Sequence, residues 1–168
     1  MQFNKEFNSS GPNIPERHYT LHRTALMTRG RQLVYDDRFF TLFAPRQSGK
    51  STFFTMLGEQ LKTEGYKVCY TNWGHNRHIS LSSFLISLGS KMQAHWGIAI
   101  DATDFDSIIR SIEACNTEKL VLAVDEVEGI NADFLNDFLV FAGFNTANNS
   151  TKIAIINVYS PVLTHLFA

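Results

Sequence analysis

The residues with the clearest chemical meaning are a short run of glycine, lysine and hydroxyl side chains that follows Ala44: Pro45, Arg46, Gln47, Ser48, Gly49, Lys50, Ser51 and Thr52. This pattern is typical of a phosphate-binding loop, in which backbone N–H groups and the positive end of the following helix face a nucleotide's phosphates. We expect all eight residues to contribute to nucleotide binding. Lys50 is expected to reach the β- and γ-phosphates, and the Ser51 hydroxyl is expected to bind magnesium.

The flanking residues supply the strand and the helix that such a loop needs. Residues 38–43 form a short apolar segment that predicts a buried strand, and apolar residues at helical spacing predict a helix from Lys50 to about Glu64. Ala44 stands where the pattern usually has glycine, which relaxes one position. The alternative is an ordinary strand-to-helix turn in which Ser48 or Ser51 caps the helix, but this leaves the Gly-Lys-Ser sequence unexplained.

A second motif, Leu120-Val121-Leu122-Ala123-Val124-Asp125-Glu126, ends an apolar run with two carboxylates. The run predicts a strand buried on both faces, and ligands bind at the carboxyl ends of such strands. We expect Asp125 to hold magnesium and Glu126 to polarise the attacking water, with strand alternation sending the two side chains in different directions. The alternative is an acidic, solvated loop. Glu128 is the less favoured base.

Two further strands are predicted, over residues 67–72 and 152–157. The second ends in Asn157, whose amide is a candidate catalytic sensor beside the γ-phosphate. The alternative reading of Asn157 is a turn residue, or a cap for a helix starting near Pro161.

The loop, the Asp125–Glu126 pair and the terminal Asn157 together resemble the bacterial and archaeal AAA-like P-loop ATPases, which are related to the AAA+ and STAND NTPases. The resemblance also includes residues 18–19, 39–42 and 65–68, and runs from about Pro12 to the end. It implies binding of ATP and Mg²⁺ and a three-layer α/β sandwich around a parallel sheet with strand order 5-1-4-3-2. It also implies roles for Lys50, Ser51, Asp125 and Glu126 that agree with their chemistry, and a sensor role for Asn157.

The resemblance also sets expectations about what surrounds this domain. Residues 1–15 are expected to be a flexible lead and residues 16–168 the ATPase core. The chain stops after the fourth sheet strand, so we expect it to be truncated before strand 5 and the helical lid. A homo-oligomer or a larger protein would then supply the arginine finger.

Length and composition favour one globular domain, and a net charge of −1 does not indicate nucleic-acid binding, although it leaves it open. No apolar stretch predicts a membrane span or a signal peptide, so we expect a cytoplasmic protein. Cys69 and Cys115 are expected to be buried thiols. The basic residues before the loop predict a solvated helix face or, alternatively, the edge of the nucleotide site or a partner surface: Arg17, Arg23, Arg29, Arg31 and Arg38.

Two smaller features, a histidine-containing segment and a pair of phenylalanines, are interpreted without catalytic roles. Residues 73–78 contain two histidines but no further metal ligands, and they predict a plain surface loop. Phe141 and Phe144 lie beyond the apolar stripe of a predicted helix and suggest a subunit contact.

The function that follows is Mg²⁺-dependent ATP binding and hydrolysis coupled to conformational change. An ATP-binding switch with little turnover is the alternative. A small-molecule kinase is disfavoured, because no acceptor pocket or arginine-bearing lid stands out.

Overall fold

The computed structural model describes residues 5–8, 13–14, 16–36, 38–45, 48–75, 77–115, 119–147 and 153–159, with side chains from 144 onward outside the description. The helices in this part are α1 (Thr24–Tyr35), α2 (Lys50–Thr63), α3 (Leu81–Trp96), α4 (Phe105–Glu113) and α5 (Ala132–Ala147). The strands are β1 (Phe40–Phe43), β2 (Lys67–Asn72), β3 (Leu120–Asp125) and β4 (Ile153–Tyr159). A single 3₁₀ turn, Val127–Gly129, follows β3.

The four strands form one parallel sheet in the order β1-β4-β3-β2. This order confirms the predicted arrangement for strands 1 to 4. Because all four strands are parallel, every connection between consecutive strands crosses over the sheet through at least one helix. The carboxyl ends of all four strands therefore meet at one edge, where the loop after β1 and the end of β3 both lie.

Alternation along β3 divides the interior into two cores, one on each face of the sheet. Val121 and Ala123 pack with α1 and α2, whereas Leu122 and Val124 pack with α3, α4 and α5. All of β3 is buried, as expected for a central strand covered on both faces. The result is the predicted three-layer sandwich.

Three details differ from the sequence-based expectations. β4 extends to Tyr159, so Asn157 lies within the strand and not at its end or in a turn. Trp73 begins the predicted surface loop but is buried, because its ring packs against Phe84 at 4.4 Å between centroids. Phe141 is also buried, stacked on Phe105 of α4, so it is not available for the proposed subunit contact. The side chain of Phe144 lies outside the described residues.

The described residues of the N-terminal lead contact the core. The backbone of Glu6 pairs with the segment around His18. The Asn13 backbone N–H donates to Thr52 Oγ1 of α2 at 3.0 Å. The second contact places Asn13 beside the candidate loop. The flexibility of residues 1–15 stays a prediction.

Of the two cysteines, which were both expected to be buried thiols, only Cys69 is buried. Cys69 and Cys115 are not joined by a disulfide, although Cys115 is only half-buried. Burial raises the pKa of the Cys69 thiol to about 12, which keeps it protonated. Within the described part of the chain, none of the helices is long and apolar enough to cross a membrane.

A close backbone approach fixes the end of β3 against the turn that follows β2. A Cβ added at Gly129, in the 3₁₀ turn, would overlap the carbonyl group of Trp73 and lie 2.8 Å from the Gly74 Cα. These neighbours are backbone atoms, which cannot move aside as a flexible side chain can. Only glycine therefore fits at this position without displacing the loops that carry the candidate site.

We predict that Gly129→Ala lowers the free energy of unfolding by about 1–3 kcal/mol, the usual cost of forcing an extra carbon into a packed site. Gly58→Ala is the matched control, because its Cβ would meet only Val68 Cγ1 at an ordinary 3.5 Å inside α2. Chemical denaturation of the two variants checks this. Equal stability of Gly129→Ala and the unsubstituted protein would contradict the close approach.

Candidate functional site

The two sequence motifs meet at the carboxyl edge of the sheet. The Ser51 hydroxyl donates a hydrogen bond of 2.9 Å to Asp125 Oδ2, across 74 positions of the chain. Ser51 lies in the first turn of α2, and Asp125 is the last residue of β3. Alternation along β3 places Asp125 on the same face as Val121 and Ala123, which is the face that α2 covers.

Asp125 is 3% exposed, and both of its carboxylate oxygens accept hydrogen bonds. Oδ2 accepts from Ser51 and, at 2.6 Å, from the Tyr70 hydroxyl of β2, while Oδ1 accepts the Glu126 backbone N–H at 3.0 Å. Burial, followed by the hydrogen bond to Asp125, raises the pKa of Tyr70, so its hydroxyl keeps the proton that it donates. These bonds offset the cost of placing a carboxylate in the interior.

The loop before α2 has the backbone that its glycine suggests. Gly49 has φ +85° and is the N-cap of α2, with no side-chain capping hydrogen bond. The alternative in which Ser48 or Ser51 caps the helix is therefore wrong, since the Ser51 hydroxyl donates to Asp125. Ala44 does not have a positive φ, so its Cβ causes no backbone strain where glycine is usual.

Polar groups of the loop converge on the start of α2. Lys50 Nζ donates to the carbonyl oxygens of Ala44 at 2.8 Å and Pro45 at 2.7 Å, which holds the ammonium across the loop. Ser48 Oγ is buried and has no hydrogen-bond partner among the described residues. Such an unsatisfied hydroxyl is costly unless a ligand supplies the missing bond. Arg46 and Gln47 lie outside the described residues.

A cleft of about 190 Å³ opens beside the loop. Its walls come from the N-terminal segment, α1 and the start of α2, and include Asn13, Leu21, Arg23, Met27, Gly49 and Thr52. Arg23 donates a hydrogen bond of 2.8 Å to the Ser48 carbonyl oxygen and so ties this segment to the loop. Arg23 thus lies at the edge of the site. Arg31 instead forms an ion pair of 2.7 Å with Glu64, at the opposite end of α2 from the loop.

Glu126 does not continue the strand as the alternation argument assumed. Its φ of +55° is left-handed, so its side chain direction is set by a turn and not by the β pleat. The residue is exposed, and its carboxylate lies against Gly74, where an added Cβ would overlap it. The two neighbouring carboxylates are therefore separated: Asp125 faces α2, and Glu126 faces the turn after β2.

The structure locates the remaining candidates less fully. The backbone of Asn157 pairs with Val124 on one side and Thr41 on the other, which places it near the ends of β3 and β1. Its side chain lies outside the description. Glu128 is in the 3₁₀ turn and has a buried carboxylate oxygen for which the described part of the chain provides no hydrogen-bond partner.

The oxygen ligands of Ser51 and Asp125 fit a magnesium ion, which takes one or two protein oxygens and completes its shell with phosphate and water. The described residues contain no group of three or more His, Cys, Asp or Glu side chains placed for a metal. His75 and His78 are both exposed.

Tyr70 is the site residue that sequence reasoning missed. It pairs in register with Ala123, while Asp125 lies two residues further along β3 on the same face. Side chains at such diagonal positions are within reach when one of them is long and aromatic. An aromatic residue with a polar tip, two positions before the end of β2, is the signal that could have identified it.

We predict that Glu126→Gly is more stable than Glu126→Ala by about 1 kcal/mol, because only glycine adopts a positive φ without a Cβ penalty. Both changes remove the same carboxylate, so their difference isolates the backbone. Thermal or chemical denaturation checks it. If the alanine variant is the more stable of the two, the left-handed conformation at position 126 is wrong.

Comparisons with known proteins agree with this geometry. The family model described as an AAA domain matches residues 31–167. No curated protein sequence matches the chain. Among solved structures, the chain is similar to one in "Structure of Drosophila ORC bound to AT-rich DNA and Cdc6", with a TM-score of 0.53 and 12% identity.

The match to that structure covers 84% of this chain and 25% of the other, so this chain spans about a quarter of its length. At 12% identity the likeness shows the fold alone. The family model, in contrast, covers the loop, the Asp125–Glu126 pair and all four strands. The protein therefore belongs to the AAA domain family and has its P-loop fold.

Proposed function

We propose that this domain binds and hydrolyses ATP with Mg²⁺ and couples its nucleotide state to a conformational change. The hydrogen bond between Ser51 and Asp125 is the observation that carries the proposal. It joins the metal-binding hydroxyl of the loop to the carboxylate of the second motif, at the start of a helix whose N–H groups are available to phosphate. A strand-to-helix turn without nucleotide chemistry does not require this pair.

The loop residues have distinct roles in this proposal. Lys50 binds the β- and γ-phosphates in place of the carbonyl contacts that hold it across the loop. Ser48 Oγ gains the partner that it lacks. The cleft beside Arg23 and Met27 receives the base and ribose, since it is continuous with Gly49 and Thr52. Magnesium, when bound at Ser51 and Asp125, neutralises phosphate charge.

Glu126 is the proposed general base, and Asn157 is proposed to orient the water. A base must come within hydrogen-bond reach of the proton that it removes, although catalytic contacts often tighten only when substrate binds. Glu126 is exposed, so its side chain is free to reorient by rotation about its own bonds.

The position of Glu126 also favours the second candidate, an ATP-binding switch with little turnover. Its carboxylate lies against Gly74 in the turn after β2, and not with the Asp125–Ser51 pair. If that position persists with ATP bound, the domain would bind nucleotide and report its presence without rapid hydrolysis.

We propose that a partner contributes to the γ-phosphate site. An arginine finger from a second copy or from a larger protein would complete the γ-phosphate site. In the similar structure, it is ORC that is bound to AT-rich DNA and Cdc6. A cytoplasmic location is likewise a proposal, consistent with two cysteines that do not form a disulfide.

We predict that Lys50→Ala weakens ATP binding at least tenfold, because a charge-assisted hydrogen bond contributes about 1.5–3 kcal/mol. Lys62→Ala is the matched control, since Lys62 lies in the same helix and pairs only with Glu59 on the surface. Calorimetric titration with Mg-ATP compares them. Unchanged affinity in Lys50→Ala would contradict the assignment of the loop.

We predict that Glu126→Gln keeps ATP affinity within about twofold and lowers phosphate release at least a hundredfold, the usual range for loss of a general base. Phosphate release from Mg-ATP should be measured over a range of protein concentrations, because activity that rises with concentration indicates a site completed by a second copy. Activity near background in both proteins at every concentration would support the switch, and full turnover in Glu126→Gln would place the base elsewhere.

A further inference from the structure

We propose that Tyr70 is a positioning residue that occupies Oδ2 of Asp125, restricts this carboxylate to one metal-facing oxygen and thereby favours Mg²⁺ over Ca²⁺. The inference rests on the proposed function. It concerns a residue that lies outside both nucleotide-binding motifs. Its basis is the geometry of the three hydrogen bonds to Asp125.

The number of free acceptor positions on the Asp125 carboxylate limits how it can bind a metal ion. An ionised carboxylate has about four lone-pair positions, two on each oxygen. Ser51 and Tyr70 both donate to Oδ2, at 2.9 Å and 2.6 Å, so that oxygen is filled. Oδ1 accepts only the Glu126 N–H, at 3.0 Å, which leaves about one position there for a metal ion or its water.

The hydrogen bond from Tyr70 to Asp125 is short. At 2.6 Å it is the shorter of the two bonds to Oδ2, in the range of hydrogen bonds between a hydroxyl and an ionised carboxylate. Asp125 therefore keeps one orientation, with Oδ2 toward α2.

Packing alone does not hold Tyr70. Its side chain is 38% exposed and borders a cleft of about 200 Å³ between α2 and the sheet, lined also by Gly58, Val68 and His95. Ala123, opposite Tyr70 in register, is too small to fix the ring. The hydroxyl makes hydrogen bonds with the side chains of Asp125 and Asn72, and these bonds hold it in place.

Ca²⁺ and Mg²⁺ differ in how they bind a carboxylate. Ca²⁺ takes six to eight oxygens and commonly binds a carboxylate through both, whereas Mg²⁺ requires a compact octahedron and binds through one. A carboxylate whose Oδ2 is already filled cannot bind bidentately. Tyr70 therefore disfavours Ca²⁺ more than Mg²⁺, and selectivity should fall when its hydroxyl is removed.

Tyr70→Phe tests this, because it removes the hydroxyl and keeps the ring. The binding of a non-hydrolysable ATP analogue is titrated with Mg²⁺ and, separately, with Ca²⁺, and the half-saturating concentrations are compared. We expect the ratio of the Ca²⁺ value to the Mg²⁺ value to fall roughly three- to tenfold, as for the loss of one hydrogen bond. The ratio cancels any general loss of stability or nucleotide affinity.

Tyr35→Phe is the matched control, since the Tyr35 hydroxyl also donates to a carboxylate, Glu64, at 2.7 Å, but far from the loop. Its ratio should equal that of the unsubstituted protein. An unchanged or increased ratio in Tyr70→Phe, with metal-dependent analogue binding intact, overturns the role of Tyr70 and leaves the proposed function standing. Failure of the unsubstituted protein to bind the analogue with either ion overturns both.

Discussion

The hydrogen bond from Ser51 to Asp125 is the constraint on which the site depends, because it closes the distance between two motifs far apart in the chain. It requires α2 to begin directly above the carboxyl end of β3. That position follows from the parallel sheet, in which β4 separates β1 from β3 and the loop after β1 must pass over this edge. A buried carboxylate would destabilise the fold if left unpaired. The sheet order, the helix start and the site are therefore parts of one arrangement.

Much of this arrangement could be predicted from sequence, because its signals are local. The Gly49-Lys50-Ser51 run specifies a left-handed residue followed by a helix, and the structure has both. The uniform apolar run before Asp125 indicates a central strand covered on both faces, as found. The order of the strands is not a local property. It came from the resemblance to a family, and the described strands agree with it.

The remaining features depend on register and backbone angle, which local patterns do not encode. Tyr70 reaches Asp125 only because β2 and β3 pair with Tyr70 opposite Ala123, and a shift of one residue would send its ring to the other face. Strand alternation predicts the direction of the Glu126 side chain only if β3 includes this residue. β3 ends at Asp125, and Glu126 has a left-handed φ of +55°. The local pattern predicts a surface loop at Trp73. Its burial depends on a contact with Phe84 in the following helix, which the local pattern does not contain.

The two carboxylates differ in a way that bears on how such a domain could be controlled. Asp125 is buried and accepts hydrogen bonds from α2, from β2 and from the next residue of the chain, so the binding half of the site is preorganised. Glu126 is exposed and adopts a left-handed backbone that costs about 1–2 kcal/mol for a residue with a Cβ. Backbone strain of this kind persists only where the surroundings impose it, and the 3₁₀ turn that follows Glu126 packs closely on Trp73 through Gly129. Under the proposed function, a partner that moves the turn after β2 would alter hydrolysis through Glu126 while leaving nucleotide binding at Asp125 unchanged.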